Sequence, residues 1–242
     1  MHNQTLDAQA VILTGEGDRG ALDYLRSLAR ENIGCVVVST DEHEIASRSR
    51  YCRKLFLVQP YRESNDSHNV KVLVELGKRF SEKPVLIYGE DINMLFVSRN
   101  RDELQKYYRF LMPPRGLAEK FVNKTDFQRL AETHDIPVPK TRIVHSYEEL
   151  VEVSKHISYP AFIKPAFTMN WSFDSPELRK KYKGYKFALR PFRSAEEMLE
   201  FCRDLPLGNG GVLVQEFIEG SDREIFSFHG YFDEHSRPLA YF

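Results

Sequence analysis

Short apolar runs alternate with helix-spaced apolar positions over the first hundred residues. Ala10-Val-Ile-Leu-Thr14 reads as a buried strand, with Gly15-Glu-Gly17-Asp-Arg-Gly20 as the turn after it. Leu22, Leu25, Leu28 and Ala29 then recur at helical spacing over 21–30. Gly34-Cys-Val-Val-Val38 and Leu55-Phe-Leu-Val58 read as further strands, the latter ended by Pro60. Val70, Leu73, Val74, Leu76 and Gly77 supply one side of a helix over 70–80, and Pro84-Val-Leu-Ile-Tyr88 reads as a fourth strand. Strands alternating with helices predict βαβ units around a parallel sheet. The prolines of Met112-Pro-Pro-Arg-Gly116 cannot continue a helix and set a boundary.

A different rhythm follows. The spacing predicts a helix over 117–134, stopped by Ile136-Pro-Val-Pro139, and a strand at Thr141-Arg-Ile-Val144. Ser146 with Glu149, and Ser194 with Glu197, are capping-box pairs that start helices. Ala161-Phe-Ile-Lys164, 186–190 and 212–217 read as strands, and 224–231 with 237–242 as a hairpin around Asp233-Glu-His-Ser236. Residues 167–184 form a polar, basic and aromatic loop. The expected class is α/β: a parallel-sheet domain over 1–112, a smaller α+β unit over 113–217, and the start of a further subdomain over 218–242. The chain stops inside an apolar pattern at Phe242, which suggests the front part of a longer protein, and its last strand should offer an open edge that favours association between chains.

Composition narrows the field little but usefully. The 242 residues are 42% hydrophobic and 29% charged with a net charge of −1, enough for a core and too balanced to attract nucleic acid or a membrane surface. No apolar run reaches membrane-spanning length and the first residues are polar, so a cytoplasmic protein is expected. Cys35, Cys52 and Cys202 show no paired spacing, which fits a reducing compartment, and the eight histidines show no metal-ligand spacing. Any phosphate site must be built locally.

Gly15-x-Gly17-x-x-Gly20, with Asp41 after the next strand, has the form of a dinucleotide fingerprint and keeps an NAD-type binding or regulatory module as the alternative reading. Glu16 and Asp18 put negative charge into that loop, so a tight strand-to-helix turn is favoured.

The strongest chemistry sits at Tyr159-Pro-Ala-Phe-Ile-Lys-Pro165 and Val212-Leu-Val-Gln-Glu-Phe-Ile-Glu-Gly220. A lysine planted in an apolar strand must point its ammonium at an anion or at solvent. A second apolar strand running into Gln-Glu could pair with the polar edge of a flat ring while the lysine holds a polyphosphate. This combination resembles the ATP-grasp superfamily, in its carbamoyl-phosphate-synthase-like and carboxylate–amine ligase branch, over nearly the whole chain.

The resemblance implies ATP and magnesium, a small carboxylate activated as an acyl phosphate, and an amine or similar nucleophile that attacks it. It implies that Lys124, Lys164 and Lys186 meet the nucleotide, that Gln215, Glu216, Phe217 and Ile218 form the hinge over adenine, and that Glu224 holds the ribose hydroxyls. Gln215 stands where Glu is usual, and Asp135 where a glycine is usual. Residues 167–184 take the place of the family's glycine-rich flap, with Gly184 alone and a cluster of Arg179, Lys180, Lys181 and Lys183. The family's magnesium ligands are implied beyond Phe242, so this chain by itself is expected to be inactive. No catalytic residue is assigned.

Overall fold

The computed structural model describes residues 5–15, 20–166, 191–205, 207 and 211–242. The chain forms two compact units, Met1–Glu119 and Lys120–Phe242. The predicted loop over 167–184 and the strand over 186–190 lie outside the described residues.

In the first unit, β1 (Ala10–Leu13), β2 (Cys35–Ser39), β3 (Cys52–Leu57) and β4 (Val85–Tyr88) form a parallel sheet in the order β3-β2-β1-β4. The helices are α1 (Gly20–Arg30), α2 (Asp66–Gly77), α3 (Asp91–Arg99) and α4 (Arg101–Leu104). Side chains alternate across a strand, so each strand serves two cores. Val11, Leu13, Val36 and Val38 pack with Leu73, Leu76, Phe96, Val97 and Leu104. Ala10, Ile12, Cys35 and Val37 pack with Ala21 and Leu25. Both sides of β1 and β2 are therefore buried, which is why these strands read as continuous apolar runs. The register also sets Cys35 opposite Cys52, a neighbourhood the spacing alone does not reveal. Both are free thiols, and burial lifts the Cys35 pKa to about 11.

Helices α3 and α4 were not expected from the pattern. The buried side of α3 includes Asn93 and Ser98 beside Phe96 and Val97, so polar residues interrupt its apolar stripe. The chain after α4 is tied back by Tyr108, whose buried hydroxyl donates to the Leu73 carbonyl at 2.6 Å. Gly77 closes α2 against this segment: a Cβ there would lie 2.7 Å from Tyr107 Cβ. Gly77→Ala must displace the main chain around Tyr107, so a loss of about 1–3 kcal/mol is expected despite alanine's better helix propensity. Chemical denaturation checks this; an unchanged midpoint would show that the segment yields freely.

The predicted helix over 117–134 is two helices, α5 (Leu117–Val122) and α6 (Lys124–Thr133). Asn123 breaks it, because its side chain accepts from Thr125 N at 2.9 Å and Asp126 N at 3.1 Å as an N-cap. In the second unit β5 (Thr141–Val144), β6 (Ala161–Pro165) and β7 (Val212–Glu216) form an antiparallel sheet in the order β5-β7-β6. Helices α7 (Tyr147–Ser154) and α8 (Ala195–Cys202) begin as the capping pairs predict: Ser146 Oγ accepts from Glu149 N, and Ser194 Oγ from Glu197 N, each at 3.2 Å. They cover one face, where Leu150 and Met198 pack with Val144, Ile163, Val212 and Val214.

The hairpin at the end is shorter than predicted. It consists of β8 (Gly230–Phe232) and β9 (Pro238–Tyr241), while Asp222–Glu224 forms a single helical turn. Asp233 closes the hairpin by accepting from Arg237 N at 2.9 Å and Arg237 Nε at 2.7 Å. Its aromatic side chains face solvent, Tyr231 at 56% and Tyr241 at 69% exposure. Among the described residues no helix is long and apolar enough to cross a membrane.

Candidate nucleotide site

The second unit's sheet has a face turned away from α7 and α8. Residues directly opposed in an antiparallel pair share a face. Thr141 opposes Gln215, which opposes Phe162; Ile143 opposes Leu213, which opposes Lys164. These six residues alternate with the Val144, Ile163, Val212 and Val214 set, so they form the other face. Helix α6 lies against β7. Its first residue reaches the end of β6, where Lys124 N donates to Ala166 O at 2.9 Å.

This brings Lys124 and Lys164 into each other's field. Burial, and secondarily the positive charge of Lys124, hold the Lys164 ammonium below the usual lysine range. Its Nζ donates to Gln215 Oε1 at 3.0 Å and lies 4.4 Å from the centroid of the Phe162 ring. Among the described residues Lys164 forms no ion pair, since its hydrogen-bond partner is a neutral amide. Two ammonium groups sharing a half-buried face favour a polyanion, which relieves both the desolvation and the like-charge cost. The positive end of α6 adds to the same potential.

Gln215 accepts from Lys164 through its carbonyl oxygen, leaving one lone pair for a ligand. Its Nε2 donates to Thr141 Oγ1 at 2.8 Å, and Thr141 Oγ1 donates to Pro139 O at 2.8 Å. Thr141 has no part in the sequence reading. Only the β5–β7 register puts its hydroxyl beside Gln215; a threonine at a strand start carries no signal by itself.

The rest of the hinge lines up beyond β7. Glu216 Oε1 accepts from Lys140 N at 2.8 Å, and Glu216 N donates to Lys140 O at 3.0 Å. Phe217 N donates to Pro160 O at 2.8 Å, and its ring meets Phe162 edge-on at 6.2 Å. The amides of Glu216 and Phe217 are thus committed to the fold. Ile218, 65% exposed, is the first hinge residue whose amide has no partner among the described residues. Phe162 and Phe217, each half-buried, meet edge to face just before it.

Glu224 is turned back on its own chain. Its Oε2 accepts from Ser221 N at 2.6 Å, and bonds to the Ser221 backbone and side chain hold the carboxyl below its usual range. It makes no hydrogen bond to the residues around Lys164. Lys186 lies outside the described residues. No group of three or more His, Cys, Asp or Glu among the described residues is placed to hold a metal.

Two acids lie close to Thr14 and Gly15, the last described residues before the glycine turn. Glu44 is 4% exposed and its carboxylate accepts from Thr14 Oγ1 at 3.3 Å, Ser39 Oγ at 3.4 Å and Ala46 N at 3.0 Å, beneath the ends of β1 and β2. A Cβ on Gly15 would lie 3.0 Å from Glu90 Oε2. Asp41 closes a local turn by accepting from His43 N at 2.8 Å. These carboxylates put negative charge beside Gly15, which disfavours a pyrophosphate next to it. Gly17 lies outside the described residues.

No protein-family model matches the chain. A D-aspartate ligase of Enterococcus faecium (strain Aus0004) is 30% identical over an alignment of 182 positions, which covers 68% of this chain and 40% of that protein. An L-amino acid ligase from Bacillus licheniformis has a similar fold, with TM-score 0.61 and 13% identity over 88% of this chain and 45% of that one. The N5-carboxyaminoimidazole ribonucleotide synthetase purK in its ADP complex has TM-score 0.58 and 16% identity over 90% of this chain and 49% of that one. The chain thus spans about half or less of the length of these proteins.

Proposed function

We propose, for a chain that belongs to the ATP-grasp superfamily, the nucleotide-binding part of an ATP-dependent carboxylate–amine ligase. The observation that carries this reading is the half-buried sheet face on which Lys164 and Gln215 meet, in the field of Lys124. Lys164 and Lys124 meet the phosphate oxygens of ATP, Phe162 and Phe217 flank the base, and the Ile218 amide donates to its edge. Lys186 and the basic residues Arg179, Lys180, Lys181 and Lys183 supply further positive charge to the nucleotide. The Glu224 carboxylate serves the ribose once the Ser221 turn opens.

In the reaction a carboxylate oxygen attacks the γ-phosphorus of ATP and ADP leaves. An amine then attacks the acyl carbon of the acyl phosphate, and inorganic phosphate leaves. Phosphoryl transfer of this kind depends on position and charge neutralisation, and lysines suit it as mobile point charges. Magnesium, when bound with the nucleotide, neutralises phosphate charge; this chain's part is the two lysines that hold the oxygens from the sheet side. The first carboxylates to test are small amino acids of the D-aspartate type, and a cytoplasmic location fits the ATP requirement.

The test is ADP release by the full-length protein with magnesium over a panel of carboxylates and amines, beside ADP calorimetry. Turnover that needs one carboxylate and one amine together is expected. Absence of ADP binding at millimolar concentration would overturn the reading.

A further inference from the structure

The side chain of Gln215 could present either end to Lys164, and the two ends have opposite effects. A carbonyl oxygen steadies the ammonium; an amide NH2 repels it. We propose that Thr141 is a positioning residue for polyphosphate binding, which fixes the polarity of the Gln215 amide so that Lys164 is held toward the phosphates. The inference rests on the nucleotide reading above and assigns a role within that site.

The argument follows the donors. Pro139 O can only accept, and Thr141 Oγ1 gives it the hydroxyl proton at 2.8 Å. Toward Gln215 the same oxygen can therefore only accept, which it does from Nε2 at 2.8 Å. The Gln215 carbonyl oxygen is left on the side of Lys164, 3.0 Å from Nζ. Thr141 is 5% and Gln215 7% exposed, so bulk water does not supply a substitute partner and a reversed amide would leave a buried mismatch. The chain Pro139–Thr141–Gln215–Lys164 thus carries a fixed direction from the backbone to the ammonium. A glutamine suits this better than a glutamate, because it orients Lys164 without cancelling its charge.

The experiment is a double-mutant cycle in the full-length protein, with ADP affinity read by calorimetry well below the melting temperature. Thr141→Val keeps the shape and removes the hydroxyl. About tenfold weaker ADP binding is expected, Thr141→Ser should return within about twofold of the wild type, and in a Lys164→Met background Thr141→Val should cost less than about twofold. Unchanged ADP affinity in Thr141→Val overturns the inference while leaving the nucleotide reading intact. An equal loss with and without Lys164 also overturns it, since Thr141 would then act on the fold of the slot. Failure of Thr141→Ser to recover binding would point to packing and count against it. A wild-type protein that does not bind ADP overturns the nucleotide reading and this inference together.

Discussion

Lys164→Met is expected to weaken ADP and ATP binding roughly 10- to 150-fold, about 1.5–3 kcal/mol for a charge-assisted contact, and at the same time to stabilise the nucleotide-free protein. Both effects have one cause. The ammonium is desolvated on the sheet face and lies in the field of Lys124, so the charged form is penalised until a polyanion arrives. Methionine keeps the stem that crosses Phe162 and removes the penalty. The pH dependence follows from the sign. The folded-state pKa lies below the unfolded value, so between the two the unfolded chain holds a proton that the folded chain has released, and stability rises with pH across that window. Lys164→Met should lack this rise. Nucleotide affinity in the wild type should fall as pH climbs through the lowered pKa, because binding then requires the lysine to take up a proton. Calorimetry and denaturation across pH 7 to 10.5 read both trends. An affinity within about twofold of the wild type, or a less stable nucleotide-free variant, would show that the lysine is a solvated surface charge.

The parallel sheet, the two capped helices and the lysine-bearing strand were legible because each depends on local chemistry. β1 and β2 are apolar throughout since both faces are buried, and Ser146 and Ser194 cap because their hydroxyls meet amides three residues on. Lys164 was legible as an anomaly, a charge inside an apolar strand. What the pattern hid depends on register or on competition. Helix α3 hid behind its buried Asn93 and Ser98, and the break at Asn123 was masked by apolar spacing that runs on either side of it. Thr141 became visible only through its position opposite Gln215, and the Cys35–Cys52 pairing likewise. The glycine motif shows the reverse case: its form is present in the sequence, while Glu44 and Glu90, distant in sequence, bring negative charge beside Thr14 and Gly15.

Leu150→Ala is expected to cost the second unit about 2–5 kcal/mol, the largest stability effect predicted for this chain. A small antiparallel sheet of three strands needs a covered apolar face to be stable. Here α7 and α8 provide it, and Leu150, fully buried, packs among Val144, Ile163, Met198 and Val214. Lys164 and Gln215 alternate with that set, so the strands that carry them are held from behind by apolar packing, while the Thr141 contact sets the polarity of the Gln215 amide on the other face. Truncation leaves a cavity that the β-branched neighbours cannot fill without shifting β6 and β7. Because the chain has two units, a single melting temperature would mix them, and amide hydrogen exchange resolves them. Protection should fall at Ile163 and Val214 and stay unchanged at Val11 and Val37 in the first sheet. Saturation with ADP at about 100 times its Kd should return about 2.7 kcal/mol of that protection by mass action, since the unfolded unit has no face to bind it. Exchange at Ile163 and Val214 as slow as in the wild type would mean that the lysine face does not depend on the α7–α8 core.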